Sequence, residues 1–190
     1  AAYSFSSTGT GTAITDAFAP KNTGTMTFGQ ATGSQTYTGG IDTTTGLTHS
    51  TLTVNGTINT TNTALKFGDV TLGSTTVLDA TASTTAGDLT IGDVTGAGFS
   101  LTLDTGHVTG ADIAGGAVTS AGATLTIRDA GTATFTGAVN VGTGIVAITD
   151  AVTLVDFQGA ITAKTLTVPA GTAAYSFSST GTGTAITDAF

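Results

Sequence analysis

The amino-acid sequence predicts an all-β protein built as a parallel β-helix, or β-solenoid, with coils of about 20–26 residues. Three observations support this prediction. The composition favours strands over helices, apolar residues recur at a long and nearly constant interval, and apolar and hydroxyl residues alternate between those points. Together they indicate one small structural unit that is repeated along the chain and stacked on itself.

The composition favours strands and turns. Thr is the commonest residue, and it packs well on a pleated surface because its Cβ is branched. The chain contains 28 Gly, and all 12 acidic residues are Asp; both residue types are frequent in turns. Lys and Arg together number four, Glu is absent and Met occurs once, so several good helix formers are scarce. We therefore expect almost no helix.

Three series of apolar residues keep the same interval along the chain. The first ladder consists of Phe28, Val54, Leu78, Leu103, Ile127, Ile148 and Val168. The second ladder consists of Ile41, Leu65, Leu89, Ile113, Phe135 and Phe157. The third ladder consists of Leu47, Val70, Val94, Val118, Val139 and Ile161. Because a coil of this size cannot bury its apolar face alone, stacking on its neighbours completes the core and continues the backbone hydrogen bonds.

Between the ladder positions the residues alternate with period two. In Thr51–Val54 and Thr124–Ile127 apolar and hydroxyl side chains change sides at every residue, which is the pattern of a half-buried strand. Such runs are about 4–6 residues long and are separated by Gly, Asp or Asn. An antiparallel β-sandwich is also made of short strands, but it gives no reason for three ladders to stay in step. The parallel solenoid is therefore the favoured architecture.

The chain carries the same 18 residues, AAYSFSSTGTGTAITDAF, at positions 1–18 and 173–190. The copies are either a duplicated element of one finite protein or parts of neighbouring repeats in a longer array, and the array is the favoured interpretation. Residues 1–190 are then one continuous solenoid segment, with 1–172 as one repeat unit of about seven coils and 173–190 as the start of the next unit.

We call residues 1–18 the N-terminal block and residues 173–190 the C-terminal block. The coil that contains a block is longer than the others, so we expect it to carry a bulge or loop. The hydrophobic residues expected to face inward are Phe5, Phe177, Ile14 and Ile186. A block then marks the junction between successive units. Since a solenoid end offers unpaired N–H and C=O groups, open ends favour head-to-tail joining.

The net charge of −8 argues against several partners. Nucleic acid and anionic membrane surfaces both attract proteins through Lys and Arg, of which this chain has four. No apolar run approaches the roughly 20 residues that a membrane-spanning helix needs, so we expect no membrane insertion of this segment. Because Cys is absent, the chain has no disulfide framework and no thiolate metal site.

Thr-x-Thr pairs are the first candidate for a binding surface. The pairs are Thr25/Thr27, Thr51/Thr53, Thr124/Thr126 and Thr165/Thr167. Alternation places both hydroxyls of a pair outside, so stacked coils produce parallel Thr ladders, which resemble the ice-binding face of β-solenoid antifreeze proteins. The other interpretation is that Thr supports the sheet through cross-strand pairs. The pattern is broken at residues 75–77 and 146–148.

The second candidate is a series of Asp residues at strand ends, namely Asp79, Asp104, Asp129 and Asp150. Stacked carboxylates repel one another, and Ca²⁺ relieves such repulsion through oxygen ligands. Alternatively, each Asp is a turn former that bonds its own backbone. The glycine-rich nonapeptide of calcium-binding toxin repeats is absent, so the sequence leaves calcium binding open.

The remaining reactive residue types form no recognisable pattern. His49 and His107 are more than two coils apart and have no Cys or Glu beside them, so zinc is not expected. Enzymatic solenoids need clustered carboxylates, or basic residues that stabilise developing charge, and one Arg with three Lys does not supply them. The sequence therefore predicts no enzyme and no catalytic, cofactor-binding or metal-binding residues.

The sequence of residues 123–168 resembles the repeat regions of very large bacterial surface proteins. This stretch reads ATLTIRDAGTATFTGAVNVGTGIVAITDAVTLVDFQGAITAKTLTV. Filamentous-haemagglutinin-type adhesins and autotransporter passengers share this strand-rich Thr/Gly/Asn style. The resemblance implies a right-handed parallel β-helix that is secreted. It also implies a stalk, a biofilm-matrix fibre or an adhesin shaft at the bacterial cell surface.

We therefore expect a structural repeat of an extracellular bacterial filament or adhesin shaft that assembles end to end by strand stacking. Its main partner is another copy of itself, with cell-surface glycans or other cells as further partners. The alternative is an ice- or carbohydrate-binding module that uses the outward Thr ladders. No cofactor is expected.

Overall fold

The strand-rich composition produces a β-solenoid of about seven turns in which successive turns pair in parallel. The computed structural model describes residues 1–5, 12–45, 49–81, 87–151, 153–170, 174–177 and 184–188. This described part consists of strands, turns and irregular segments without any helix, so it contains no apolar helix of membrane-spanning length. The prediction of an all-β parallel solenoid is confirmed.

Each turn contributes strands to three faces of the solenoid. Face 1 is formed by β1 (Tyr3–Phe5), β3 (Thr25–Phe28), the first halves of β6 (Thr51–Thr60) and β8 (Val70–Asp79), β10 (Val94–Thr95), β13 (Val118–Thr119), β16 (Val139–Asn140), β19 (Ile161–Ala163) and β22 (Ala185–Ile186). Face 2 is formed by β2 (Thr12–Ile14), β4 (Ser34–Tyr37), the second halves of β6 and β8, β11 (Leu101–Asp104), β14 (Thr124–Asp129), β17 (Ile145–Ile148) and β20 (Thr165–Thr167).

Face 3 is a separate seven-stranded sheet. Its strands are β5 (Ile41–Asp42), β7 (Leu65–Phe67), β9 (Leu89–Ile91), β12 (Ile113–Gly115), β15 (Thr132–Phe135), β18 (Leu154–Phe157) and β21 (Ala174–Ser176). Faces 1 and 2 belong to one 15-stranded sheet because β6 and β8 run across both. The three faces enclose a single apolar core that runs the length of the solenoid.

The alternation seen in the sequence sorts side chains between the core and the surface. In β6 every second residue is buried from Leu52 to Thr60, while the residues between them are partly exposed. The third ladder is confirmed from Val70 to Ile161, since each member lies opposite the next in the strand register. Its first member, Leu47, lies outside the described residues.

The second ladder is correct as far as Ile113 and then differs by two residues. Ile113 lies opposite Ala133, and Phe135 lies opposite Gly115. Both Ala133 and Phe135 are fully buried, because residues two apart in a strand point to the same side. The alternation therefore could not distinguish them, and the predicted Ile113–Phe135 step is wrong. From Phe135 the ladder continues to Phe157 as predicted.

The first ladder contains one wrong step, from Val54 to Leu78. Val54 lies opposite Leu72 on face 1, whereas Leu78 lies opposite Ile58 on face 2. The cause is the length of β6, which spans two faces with a register shift between Val54 and Gly56.

The other described steps of the first ladder agree with the prediction. Phe28 pairs with Val54, and the ladder then runs in register from Leu78 through Leu103 and Ile127 to Ile148. Its last member, Val168, follows β20 and packs against the same core while partly buried.

The two identical blocks occupy different faces. The N-terminal block places β1 on face 1, β2 on face 2 and Phe18 on face 3, where Phe18 bridges to Ile41. The C-terminal block places β21 on face 3 and β22 on face 1. The expectation that the block Phe and Ile residues face inward is confirmed, since all four pack against the core. The two copies are therefore offset by one face.

One uninterrupted register joins the two blocks along face 3. Each residue lies opposite the next in the series Phe18, Ile41, Leu65, Leu89, Ile113, Ala133, Val155 and Tyr175. The described chain is therefore wound as one continuous stack from the N-terminal block to the C-terminal block.

Candidate functional site

The Thr-x-Thr pairs lie on two different faces. On face 1, Thr25 lies opposite Thr51 and Thr27 lies opposite Thr53, so the first two pairs stack as predicted. The other two pairs lie on face 2 and are separated by β17, which has no Thr. The double ladder is therefore interrupted on face 2.

Face 1 carries a longer Thr column that the Thr-x-Thr motif did not reveal. Its members lie in register on the outer side, namely Thr27, Thr53, Thr71, Thr95 and Thr119. Asn140 and Thr162 continue the same position in the next two turns. Since paired strands lie about 4.8 Å apart, the column presents one hydroxyl per turn at that spacing.

A groove of about 340 Å³ runs beside this Thr column. Its lining includes His49, Thr51, Asp69, Thr71 and Asp93. The carboxylate of Asp69 accepts a hydrogen bond of 2.9 Å from the backbone N–H of Asp93. The carboxylate of Asp93 accepts one of 2.8 Å from the N–H of Ala117. These carboxylates thus tie each turn to the next.

The same use of Asp recurs at the entry to face 3. Asp88 accepts a hydrogen bond of 3.2 Å from the N–H of Asp112, and Asp112 accepts one of 2.8 Å from the N–H of Thr132. Each carboxylate satisfies a backbone donor of the following turn. A charged acceptor makes such a bond shorter and stronger than a bond between neutral groups.

The predicted Asp series is brought together on face 2. Asp79 lies opposite Asp104, and Asp104 lies opposite Asp129. Arg128 joins the first two carboxylates, with its Nε on Asp104 Oδ2 and its Nη2 3.3 Å from Asp79 Oδ2. The Arg128 guanidinium therefore offsets the repulsion between Asp79 and Asp104 that Ca²⁺ would otherwise relieve.

The other end of the series contains a histidine that the sequence analysis did not connect with it. His107 Nδ1 lies 3.0 Å from Asp150 Oδ2. Ligand atoms of His107, Asp129 and Asp150 lie within 4.8 Å of one another. Burial, reinforced by the charges of Asp104 and Asp150, raises the pKa of Asp129, while His107 and Arg128 act in the opposite direction.

This group is a weak match to calcium chemistry. Ca²⁺ takes six to eight oxygen ligands, whereas the group offers two carboxylates and one imidazole nitrogen. Arg128 already engages Asp79 and Asp104, so those two carboxylates are not free to complete a shell. The arrangement is better described as a column of acids in which Arg128 bridges Asp79 and Asp104 and His107 contacts Asp150.

Asp42 forms a compact turn at the end of β5. Its Oδ1 accepts hydrogen bonds from the Thr44 N–H at 2.7 Å and the Thr45 N–H at 3.1 Å. The hydroxyls of Thr44 and Thr45 each donate a further bond of 2.7 Å. Partial burial raises the pKa of Asp42, but these bonds outweigh it and bring the pKa down to about 2.

A buried polar node attaches the N-terminal block to the second turn. Gln35 is 2% exposed, and its Oε1 accepts hydrogen bonds from the Gly29 N–H at 3.2 Å and the Tyr37 hydroxyl at 3.0 Å. Its Nε2 donates to the backbone oxygen of Phe5. Burial raises the pKa of Tyr37. Nothing in the local sequence pattern indicated that Gln35 faces inward.

Aromatic side chains accumulate at both ends of the described solenoid. Near the C-terminal end Phe135, Phe157 and Phe177 stack with centroid distances of 5.3 and 5.9 Å. Near the N-terminal end Phe5 stacks on Phe28 at 5.5 Å. A cleft of about 290 Å³ lies there, and its lining includes Tyr3, Phe5, Phe18, Lys21 and Met26. These two aromatic groups are the candidate interaction surfaces of the described residues.

Comparison with known proteins gave no match to a family model, to a curated protein or to a solved structure.

Proposed function

We propose that this chain is a structural segment of an extracellular bacterial filament or adhesin shaft that lengthens by stacking one coil on another. The observation that supports this proposal most directly is the uninterrupted register from Phe18 to Tyr175. Seven steps of about 4.8 Å make this stack about 34 Å long. Force along such a stack is shared among the hydrogen bonds of several faces.

The strands of the two blocks favour association with a second copy of the chain. A parallel strand offers hydrogen-bonding groups along both of its edges. Within the described residues, β1 and β2 pair with the following turn, whereas β21 and β22 pair with the preceding turn. Tyr3 is half exposed beside the N-terminal cleft, so apolar surface accompanies the strand edge. A second copy stacked end to end removes both from water, and a heterologous contact of this kind extends without closing.

The extracellular location is part of the same proposal. It is supported by the Thr- and Gly-rich composition, the absence of Cys and the resemblance of residues 123–168 to adhesin repeats. Few Lys and Arg leave few sites for trypsin-like proteases, which suits an exposed fibre.

Electron microscopy and light scattering of the intact chain over a range of concentrations test the proposal. We expect rods of constant width whose mean length and mass increase with concentration. Particles that remain single and short at every concentration would contradict end-to-end assembly.

The Thr column of face 1 supports a second candidate, an ice- or carbohydrate-binding surface. Five consecutive turns place a Thr at the same outer position, which gives a regular array of hydroxyls. Thr95→Lys introduces a bulky charge into this column, while Thr102→Lys places the same charge on face 2. A loss of uptake into growing ice, or of glycan binding, with Thr95→Lys alone would support this candidate. Equal behaviour of both variants and the unmodified chain would exclude the column.

A further inference from the structure

The two identical blocks use opposite edges of the same strand. In the N-terminal block Tyr3 pairs with Met26, which belongs to the following turn. In the C-terminal block the equivalent Tyr175 pairs with Val155, which belongs to the preceding turn. The same sequence therefore pairs with a following turn in one block and with a preceding turn in the other block.

The second strand of each block shows the same relationship. Ile14 pairs with Tyr37 of the following turn, whereas the equivalent Ile186 pairs with Ala163 of the preceding turn. A parallel strand has two edges, so a single block can make both sets of pairs at once.

The partly buried aromatic side chains of the blocks repeat this two-sided arrangement. Phe5 stacks on Phe28 at 5.5 Å, and the cleft of about 290 Å³ lies beside Phe5 and Tyr3. The equivalent Phe177 stacks on Phe157 at 5.9 Å with an interplanar angle of 9°. A Phe157 ring from another copy is therefore a suitable occupant for the cleft.

A charge pair supports the same registry. Lys164 lies 3.5 Å from Asp188 of the C-terminal block. Asp188 corresponds to Asp16 of the N-terminal block, so an incoming N-terminal block brings the same carboxylate to Lys164.

We propose that β1 and β2 of a second copy of this chain pair with β18 and β19 of the first copy, in the places held by β21 and β22. The proposal rests on the proposed filament function and specifies its junction. Tyr3 of the second copy lies opposite Val155, and its Ile14 lies opposite Ala163. The junction joins the two aromatic stacks into one, in the order Phe135, Phe157, Phe5 of the second copy and Phe28 of the second copy.

The offset between the blocks sets the rotation at each junction. β1 lies on face 1 of its own copy, but β21, whose place it takes, lies on face 3. Face 1 of each copy therefore continues face 3 of the copy before it. The Thr column returns to its starting face after three junctions, in the fourth copy, so the Thr columns of successive copies are arranged helically along the filament.

Cysteine cross-linking tests the registry, because the chain contains no Cys of its own. In the C-terminal block Ser176 lies opposite Asp156, so the equivalent Ser4 of a second copy is placed opposite Asp156. Paired strands bring Cα atoms within the 4.4–6.8 Å range that a disulfide requires. We therefore expect a mixture of Ser4→Cys and Asp156→Cys chains to form a covalent heterodimer on oxidation. Ser4→Cys mixed with Thr102→Cys, on face 2, is the control and should give none.

A pair of variants tests whether the incoming N-terminal block replaces the chain's own C-terminal block or only contacts it. We call this replacement block exchange. Phe177→Asp weakens the hold of a chain's own C-terminal block on Phe157, whereas Phe5→Asp disables the incoming block with the same chemical change. We expect Phe177→Asp to increase the Ser4–Asp156 cross-link and Phe5→Asp to abolish it. Circular dichroism of each variant verifies that the strands remain folded.

The outcomes distinguish the two proposals. The unmodified chain could assemble while Ser4→Cys cross-links to Ser176→Cys and not to Asp156→Cys. This result would overturn block exchange but would not contradict the filament function. Equal loss of assembly with Phe5→Asp and Phe177→Asp would also overturn block exchange. Chains that stay monomeric and uncrosslinked at every concentration would overturn the filament function together with the junction.

Discussion

Gly115 lies directly opposite Phe135 in the register between two neighbouring turns, and the Phe135 ring occupies the space beside Gly115. A Cβ at position 115 would lie 2.6 Å from two ring carbons of Phe135. The ring is fully buried and stacks on Phe157 at 5.3 Å, so little room remains for it to move. The absence of a side chain at one turn is thus matched to a large ring at the next.

Gly115→Ala is expected to destabilise the fold by about 1–3 kcal/mol, since overpacking forces side chains and backbone out of place. Denaturant unfolding followed by circular dichroism measures this change. Gly68→Ala is the matched control, because a Cβ at Gly68 meets nothing within 4 Å. In a Phe135→Leu background Gly115→Ala should destabilise the fold by less, and an additive double variant would show that the two sites are not coupled.

The same pair shows what the sequence could and could not predict about the fold. Val70, Val94, Val118 and Val139 were aligned correctly because alternation and a nearly constant interval agree at those turns. The partner of Ile113 was not, because alternation permits any residue two positions away. Packing against Gly115, which the interval does not encode, selects the register.

The candidate surfaces depend even more on three-dimensional detail. The Asp column was predictable from its spacing, but its link to Arg128 depends on how far a side chain reaches across two turns. The one-face offset of the two blocks could not be predicted. The reason is that the number of residues between the blocks does not determine how many faces those residues form.

Arg128→Gln is expected to destabilise the fold by about 1 kcal/mol, because it leaves Asp79 and Asp104 facing each other without a cation. The loss should be larger at low salt, since screening by about 0.1 M salt weakens exposed charge pairs. Unfolding of both chains at two ionic strengths measures the difference. A loss that does not depend on salt would indicate a packing role for the Arg128 side chain.

Asp42→Asn is expected to change the acid dependence of stability. The folded pKa of Asp42 is about 2 against an ordinary value of 3.8, so its carboxylate stabilises the fold above about pH 4. That contribution is lost as the pH falls through the folded value. The difference in unfolding free energy between the two chains should therefore be full at pH 6, decrease from about pH 4 to about pH 2, and be lost below pH 2. A difference that stays constant across this range would show that Asp42 acts through something other than its charge.

Chelation is expected to leave the unfolding midpoint unchanged. Arg128 already engages Asp79 and Asp104, so removal of divalent ions by EDTA should leave the free energy of unfolding unchanged. Thermal unfolding with EDTA and with added Ca²⁺ makes the comparison. A marked fall in midpoint on chelation, reversed by Ca²⁺, would assign the column to calcium.

The most direct test of the stacked register is a pair of distances between spin labels on the Thr column of face 1. Labels at Thr27→Cys and Thr119→Cys lie four register steps apart, and labels at Thr27→Cys and Thr162→Cys lie six steps apart. At about 4.8 Å per step, double electron–electron resonance should give distances of about 19 Å and about 29 Å. Two distances that do not increase with the number of turns would contradict a parallel stack of coils.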